Sequence, residues 1–597
     1  MIVEMSKLTL LVIKSNIDDT IKKLQKLGVI HIKEIQKPVS EDIDKLKSDF
    51  KNTESVINIF TNKDVKKQKN DKDVKPIIED VIKLEKEKKE LISKENELEE
   101  IKNWYENWGI ISLKDIEAIK NSGYNIKLFS QPGSYLKTID IDKMENIFIV
   151  SKDKNSVKLA QIGSENKEGL NLNQIRLPDL EYKQTQTEIS EIINKLGKIE
   201  STVNEYSSYL DGIKGIKEKL EKKLEFAQVK YGMGDAEEIF YLNGYLPTNK
   251  KDKVKKEAEN NSWGYVFEKP KESDNPPVLI KNPKWVGIIE PVFNFMGTTP
   301  GYHEYDISIW FLLFFSLFFA ILIGDAGYGL IFLASTFLVR RKFKKAPFEP
   351  FALMYVLSGA TIIWGALSGT YFGSEAIAQL PILKAIVNSN ISSFDLSSSG
   401  FNDNQTFMIN LCFLVGAIHL TVAHLLIAIK NLKLLKMISQ IGWVGIIWSL
   451  YFIAGNLVLD KEFPQVGVYL FITSFILTLS FSNAEKGILK GLGVTLGSLP
   501  LNIISGFSDI VSYLRLFAVG YATVVVAHTF NQMAIGSGIN SVVSGIIAAM
   551  ILIFGHLLNI VLGAMAIIVH GIRLNMLEFS GHLNMEWSGI KYRPFAE

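Results

Sequence analysis

Beyond about residue 301 the chain turns apolar in eight blocks, near 307–323, 327–339, 350–373, 406–429, 437–459, 464–482, 503–532 and 541–574. About 20 consecutive apolar residues suffice for a helix to cross a hydrocarbon core. Inside that core each backbone N–H and C=O must be paired within the protein, which leaves helices as the one way to fold such blocks when strand-like alternation is missing. Residues 1–300 are instead rich in Lys, Glu, Asp and Asn. The whole-chain averages, 47% hydrophobic with a formal net charge of +2, conceal this division. The pattern predicts a soluble half, 1–300, followed by an all-α polytopic membrane domain, 301–597, of about eight transmembrane helices.

Charge in the connections orients the bundle. One set of connections carries Arg340–Lys345 ("RRKFKK"), Lys430, Lys433 and Lys436, Lys486 and Lys490, and Lys591 with Arg593. The alternate set is "GDAGYG", the 374–405 loop with Lys384 as its one basic residue, "DKE" at 460–462, and an uncharged turn at 533–540. Basic loops face the cytoplasm, so both the N-terminal half and the C-terminus are expected there, on a multi-pass protein of the cell membrane. The opening "MIVEMSKLTLLVIK" has no basic region followed by a long apolar block, so a cleaved signal peptide is not expected. Cys412 is the single cysteine, which excludes a disulfide within the chain.

The soluble half reads as α+β. Lys7–Lys14 alternates as a strand, Ile17–Leu27 is amphipathic, and Val29–Ile35 is a second strand; the order repeats at Ile239–Tyr245, Lys250–Glu259 and Gly264–Phe267. Two β-α-β halves so far apart predict a split ferredoxin-like lobe, 1–40 with 235–270, closed around an insertion. Ile189, Ile192, Leu196, Ile199, Val203, Tyr206, Leu210, Ile213, Leu220 and Leu224 step by threes and fours, with Lys217 breaking the seam. Val74, Ile77, Val81, Leu84, Leu91, Leu98 and Tyr105 keep the same register, weakened at Lys88 and Glu95. These are the arms, 41–108 and 180–234, of a long antiparallel coiled-coil hairpin carrying a distal α/β lobe at 109–175, with strands at Asn125–Phe129, Ile147–Val150 and Val157–Gln161. Acidic and basic residues intermingle on the outer faces, which marks a solvated helix surface and argues against nucleic-acid binding.

Arg515, in "SYLRLFAVG", is the residue hardest to place. It lies about a dozen residues into the seventh block, roughly 18 Å deep at ~1.5 Å per residue. A buried guanidinium costs at least ~2.5 kcal/mol, so it either has a fixed acidic neighbour or marks an ion path. Ser508, Ser512, Val519 and Ala522 share its face and admit a close helix or water. Asp509 lies on another face. In "IVHGIRLNMLEF" Arg573 follows His570 by one turn and precedes Glu578 by five residues; by itself it reads as an interfacial anchor, and His570 as either a titrating group or an interhelical hydrogen-bonder. Asp325 in "GDAGYG" suits a turn at least as well as an ionic role. Glu375, Asp509 and Glu485 stand near block ends, where they can line aqueous entries. His419 and His424 are five apart, wrong for one helical face, and no metal site is expected. The chain has no GxxxxGK[ST], GxGxxG or HExxH; the spacing in Gly491–Gly497 does not fit a dinucleotide turn, so nucleotide energy would have to enter through another chain.

Ser508–Ala522 ("SDIVSYLRLFAVGYA"), Val569–Phe579 ("VHGIRLNMLEF"), the closing Arg593–Phe595, Gly324–Leu330 ("GDAGYGL") and Phe240–Pro247 ("FYLNGYLP") resemble the a subunit, or subunit I, of V-type and archaeal A-type rotary ATPases, in its bacterial or archaeal form. The resemblance spans the chain. It implies a non-catalytic, non-nucleotide-binding stator: Arg515 as the essential arginine facing a rotating ring of proteolipid subunits, Arg573 as its supporting arginine, and two offset aqueous half-channels carrying H+ or Na+. Ser508, Asp509, Ser512, His570, Glu578, Glu375 and Glu485 are then candidate half-channel lining. The soluble arm is expected to engage peripheral stalk subunits, no cofactor is expected to be bound, and Arg515 is expected to have no permanent mate within its own chain, its partner being a carboxylate on the passing rotor. Thr523 stands where eukaryotic relatives carry a histidine, and Gly563 where they carry a glutamate. The competing classes are a self-contained secondary transporter, for which no internal repeat is found, and a non-transporting membrane tether, which leaves Arg515 unexplained.

Overall fold

Alternation along Met5–Ile13 turns Leu8, Leu10 and Val12 to one buried face. That strand lies inside a sheet with the order His31–Lys33, Ile239–Pro247, Met5–Ile13, Gly264–Glu268. The two outer pairings are antiparallel, with Lys7 opposite Glu268 and His31 opposite Tyr245. Helices Ile17–Leu27 and Lys251–Asn260 follow the first and third strands in sequence. Glycine is required at 244, where a Cβ would stand 2.6 Å from Ile30 Cγ2 and 2.9 Å from His31 O. The computed structural model describes residues 1–61, 74–132, 146–152, 156–163, 174–392, 398–430, 434–483, 488–536, 538 and 541–596. It divides into two compact units: Met1–Val12, Leu24–Lys33 and Tyr241–Ala596 form one, Ile13–Lys23 and Glu34–Phe240 the other.

In the second unit, helices Glu41–Thr61 and Lys75–Trp108 pack along Leu210–Gly232 and Tyr182–Tyr206 respectively. The expected seam is the core: Val81, Ile199, Val203, Leu210 and Ile213 are buried with Val56 and Phe60, and Leu98 with Ile189 and Ile192 further along. Lys217 interrupts the apolar pattern without opening the contact. Its ammonium reaches across to Glu54 Oε1 at 2.8 Å and lies 5.3 Å from the Phe50 ring centre. The intervening sheet runs Ile147–Lys152, Ser156–Gly163, Asn125–Pro132, Gln174–Ile175, antiparallel throughout. Its last strand, two residues long, is too short to leave a period in the sequence.

In the first unit a helix occupies each of the eight apolar blocks. Among the described residues five stretches are long and apolar enough to cross a bilayer alone: Phe348–Ser368, Asp403–Lys430, Leu435–Leu459, Leu492–Ile535 and Val542–His582. Ser308–Ile323 and Ala326–Lys342 meet at a bend of 119°, and Gln465–Phe481 is shorter. Asp325 makes that bend. Its carboxylate accepts the N–H groups of Gly327 and Tyr328 at 2.7 and 3.2 Å, capping the second helix, and those of Phe372 and Gly373 at 2.9 Å from the turn after the third. Gly324 beside it has φ +67°, which favours glycine.

The same unit carries the C-terminal tail. Val278 N donates to Ile590 O, Tyr592 N to Val278 O and Phe595 N to Ile30 O, so the tail is stitched to the sheet and the loop beyond it. Tyr592 donates its hydroxyl to Val29 O, and burial pushes that phenol up to about 12. At the other terminus the Met1 ammonium is held by Asn282 Oδ1 at 2.6 Å and by the Asp306 carboxylate.

Candidate functional site

The seventh block lies within one apolar stretch of 44 residues, Leu492–Ile535, with Arg515 close to the middle of that stretch. The helix tightens at that point. Tyr513 N bonds Ile510 O at 3.2 Å and Leu516 N bonds Tyr513 O at 3.0 Å, both three residues back instead of four. Leu516 is thereby diverted from the Ser512 carbonyl, which accepts Arg515 Nε at 3.1 Å instead. A neighbouring helix also approaches closely, as the small residues imply, although at Gly520, where a Cβ would collide with Ile321 O.

Arg515 has a mate in its own chain, contrary to the expectation from the resemblance. Its Nη2 lies 2.8 Å from Glu578 Oε1, and Arg573 Nε lies 3.8 Å from the same oxygen. Residues five apart on an ordinary helix point about 140° from each other. Leu574–Phe579 is instead π-helical, with Ile567–Gly571 a π turn before it, and in i→i+5 winding Arg573 and Glu578 fall on one face. The side chain of Glu578 is 4% exposed, that of Arg515 26% and that of Arg573 51%. The carboxylate is therefore at the back of the cluster and the guanidinium groups at its front. Glu578 Oε2 is buried and has no hydrogen-bond partner among the described residues.

Asp509 belongs to a second polar group. Its Oδ2 meets His582 Nε2 at 3.1 Å, His582 Nδ1 meets His424 Nε2 at 3.0 Å, and His424 Nδ1 meets Gln440 Oε1 at 2.7 Å. Asn502, Ser505, His424, Gln440, Asp509 and His582 line a cavity of about 440 Å³, ample for several waters. His419 is not part of this chain: it is stacked between Phe314 and Phe579 and bonded to Tyr513.

A third group gathers midway along the helix Val542–Ala566. Asn559 Nδ2 donates to Tyr328 Oη at 3.0 Å and to Thr523 O at 2.8 Å; Tyr328 Oη meets His556 Nδ1 at 2.8 Å, and His556 Nε2 meets Asn531 Oδ1 at 3.2 Å. The two positions that depart from the eukaryotic pattern both touch Ile323. Thr523 Oγ1 is 3.3 Å from Ile323 O, and a Cβ on Gly563 would stand 2.8 Å from Ile323 Cδ1.

Of the remaining expected residues, Ser508 is exposed and Ser512 acts through its carbonyl. His570 Nδ1 is buried without a partner among the described residues. Glu375 is bonded by Gln379 Nε2 at 3.0 Å, and neither it nor Ser508 hydrogen-bonds to the arginine cluster among the described residues. Glu485 lies outside the described residues. His582, Gln440, His556, Asn531 and Asn559 were not legible as site residues; His582 falls past the last apolar block, although the helical stretch runs on to it. Among the described residues no group of three or more His, Cys, Asp or Glu side chains could hold a metal ion.

No family model matches the chain. It is 32% identical to V-type ATP synthase subunit I of Borreliella burgdorferi and 28% identical to V-type ATP synthase subunit I 1 of Treponema pallidum, in each case over 100% of both chains. The A-type ATP synthase subunit I of Methanocaldococcus jannaschii is 28% identical over 68% of this chain and 63% of its own. A crystal structure of the cytoplasmic N-terminal domain of a subunit I, homologue of subunit a of V-ATPase, aligns with 44% of this chain and 100% of its own at 16% identity and a TM-score of 0.20. With a relative 32% identical over the full length of both chains, the chain that brings Arg515 and Arg573 onto one buried carboxylate belongs to the V-type and A-type ATP synthase subunit I family.

Proposed function

We propose that this protein is the membrane stator of a V/A-type rotary ATPase, coupling ATP hydrolysis or synthesis elsewhere in the complex to passage of H+ or Na+ past Arg515. The observation that carries the reading is the cluster at mid-stretch: two arginines converge on a single buried carboxylate, with their exposed sides outward. A fixed positive charge there favours the ionised form of a rotor carboxylate and repels a cation leaking straight across. The 440 Å³ cavity with Asp509, His582 and His424 serves as the cytoplasmic half-channel, its paired side chains able to relay a proton or to help solvate a cation. The Asn559, His556 and Asn531 group serves the outer one. Asp325, with all four of its hydrogen bonds to backbone N–H groups, is assigned to the turn.

In the same reading the bent pair counts as two spans and the short helix as one, giving eight with both termini in the cytoplasm. Residues 1–300 form the stator arm: a ferredoxin-like lobe split between 1–40 and 235–270, coiled-coil arms at 41–108 and 180–234, and a distal lobe at 109–175 that engages peripheral stalk subunits. The membrane domain, 301–597, holds the half-channels against a proteolipid ring. The test is Arg515→Ala in the complete complex reconstituted in liposomes. ATP-driven ion uptake is expected to disappear while the complex still copurifies with its ring; uptake at the wild-type rate would overturn the assignment.

A further inference from the structure

The Arg515–Glu578 pair is an unusual thing to build into a charge meant for another subunit, because a guanidinium already paired is a weaker attractor. Three details show what kind of pair it is. It is one-sided: a single oxygen of Glu578 meets Nη2 at 2.8 Å, and the other oxygen, buried, has no partner among the described residues. The fork-to-fork arrangement that makes arginine–carboxylate pairs strong is therefore half used. It is also asymmetric in access, with Glu578 at 4% exposure behind Arg515 at 26%. A second carboxylate can approach the guanidinium from the open side without displacing Glu578 first. Finally, it is shared: Arg573 Nε stands 3.8 Å from the same Oε1. Two arginines and one carboxylate leave a net charge of +1 among the three paired groups, while Asp509 is bonded to His582 at 3.1 Å in a separate group.

We propose that Glu578 is the resting counter-ion of Arg515: it holds the guanidinium in place from behind and trims the cluster to a single net positive charge, so that a passing rotor carboxylate is attracted and then released. This rests on the reading of Arg515 given above. Glu578 is a positioning residue, acting on the rotor through the arginine. The π winding of Leu574–Phe579 is what brings Glu578 behind the arginine from a sequence position on the wrong face. Without the carboxylate the cluster carries two positive charges in a medium that screens poorly, and a rotor carboxylate that binds there leaves slowly. The defect is thus a brake on rotation with coupling preserved, unlike the loss of coupling expected from removing Arg515.

The proposal is tested with the complete complex in liposomes, measuring ATP-driven ion uptake and ATP hydrolysis together. Glu578→Gln is expected to lower both in parallel by at least about tenfold, with uptake per ATP unchanged, and Glu578→Asp to retain much of the rate. Adding Arg573→Gln to Glu578→Gln returns the net charge to +1 and is expected to restore part of the lost rate. If the Gln variant does not assemble, the Asp variant carries the test: any loss there is expected to fall on uptake and hydrolysis alike, and a fall in uptake per ATP would overturn the proposal. Wild-type rates in Glu578→Gln, or a further loss on adding Arg573→Gln, would overturn it as well. Arg515→Ala, run alongside, separates the two readings: normal uptake there refutes the role of Arg515, whereas lost uptake there with a normal Glu578→Gln refutes this proposal alone.

Discussion

The Tyr513 hydroxyl lies 2.8 Å from His419 Nδ1, and both residues are fully buried. His419 is itself wedged between Phe314 and Phe579, with ring centres 3.9 and 4.3 Å away. Tyr513 is the residue at which the long helix tightens, two positions before Arg515, and Phe579 directly follows Glu578. One hydrogen bond thus ties together the two backbone irregularities that aim the arginine and its carboxylate. Tyr513→Phe leaves a buried imidazole nitrogen unpaired, a cost of about 1–3 kcal/mol. A lower unfolding temperature of the purified complex, together with slower ion uptake, is the expected outcome; unchanged values for both would show that the irregularities are held by packing alone.

Asp325 presents the opposite case, an acid whose carboxylate is bonded by backbone N–H groups. Its oxygens are saturated by backbone N–H groups from two turns. Asp325→Ala orphans those four donors and is expected to reduce the yield of assembled complex severely, each unpaired group costing about 1–3 kcal/mol. Asp325→Asn keeps one acceptor oxygen and is expected to be milder. Whatever complex is recovered should retain the wild-type ratio of ions moved per ATP. A lowered ratio would make Asp325 an ionic residue after all.

Ile323 lies against both positions that depart from the eukaryotic pattern. A glutamate at 563 would begin from a Cβ only 2.8 Å from Ile323 Cδ1, and Thr523 already bonds the Ile323 carbonyl. Gly563→Glu is expected to lower the thermal stability of the assembled complex by about 1 kcal/mol, since the Ile323 side-chain end must move aside. Adding Ile323→Ala, which clears the obstructing methyl, should recover much of that loss. Equal thermal stability of the single and double variants would remove Ile323 from the explanation.

What could be read from residues alone follows the range of the interactions involved. The heptad seam of Ile199, Val203 and Ile213 and the alternation of Leu8, Leu10 and Val12 are local periodicities, and each maps directly onto a buried face. Arg515 stood out because isolated charge in an apolar block is costly wherever its partner lies. Glu578 could be named from the sequence as channel lining but not as the mate of Arg515, because that pairing depends on π turns, and a period of 3.6 assigns it to a different face from Arg573. The chain from Asp509 through His582 and His424 to Gln440 was hidden for another reason: it joins residues from four separate stretches, one of them beyond the last apolar block, and no spacing records such a meeting. Lys217 shows the converse, a broken pattern that packs intact because Glu54 lies across from it.

The tail offers a prediction about pH. His31 Nδ1 lies 3.1 Å from Arg593 N and 3.0 Å from Arg593 O. Burial lowers the pKa of His31 below its ordinary value; its backbone bond to Arg593 pulls the other way, and the Arg593 charge reinforces the lowering. The Tyr592 ring, 6.2 Å away, stays neutral, its phenol pushed up to about 12, and so does Tyr245 across the sheet, its phenol also raised by burial. A histidine that binds its proton less readily when folded contributes full stability above its unfolded pKa, near 6.5. As pH falls below that value the released form takes up protons that the docked form resists, so docking weakens until the folded pKa is reached. Amide exchange across residues 590–596, corrected for intrinsic rates, should therefore show less protection at pH 5.5 than at pH 7.5. His31→Gln keeps a polar partner for the tail without titrating, and is expected to make protection the same at both pH values. An equal pH response in the wild type and in His31→Gln would assign the effect to another group.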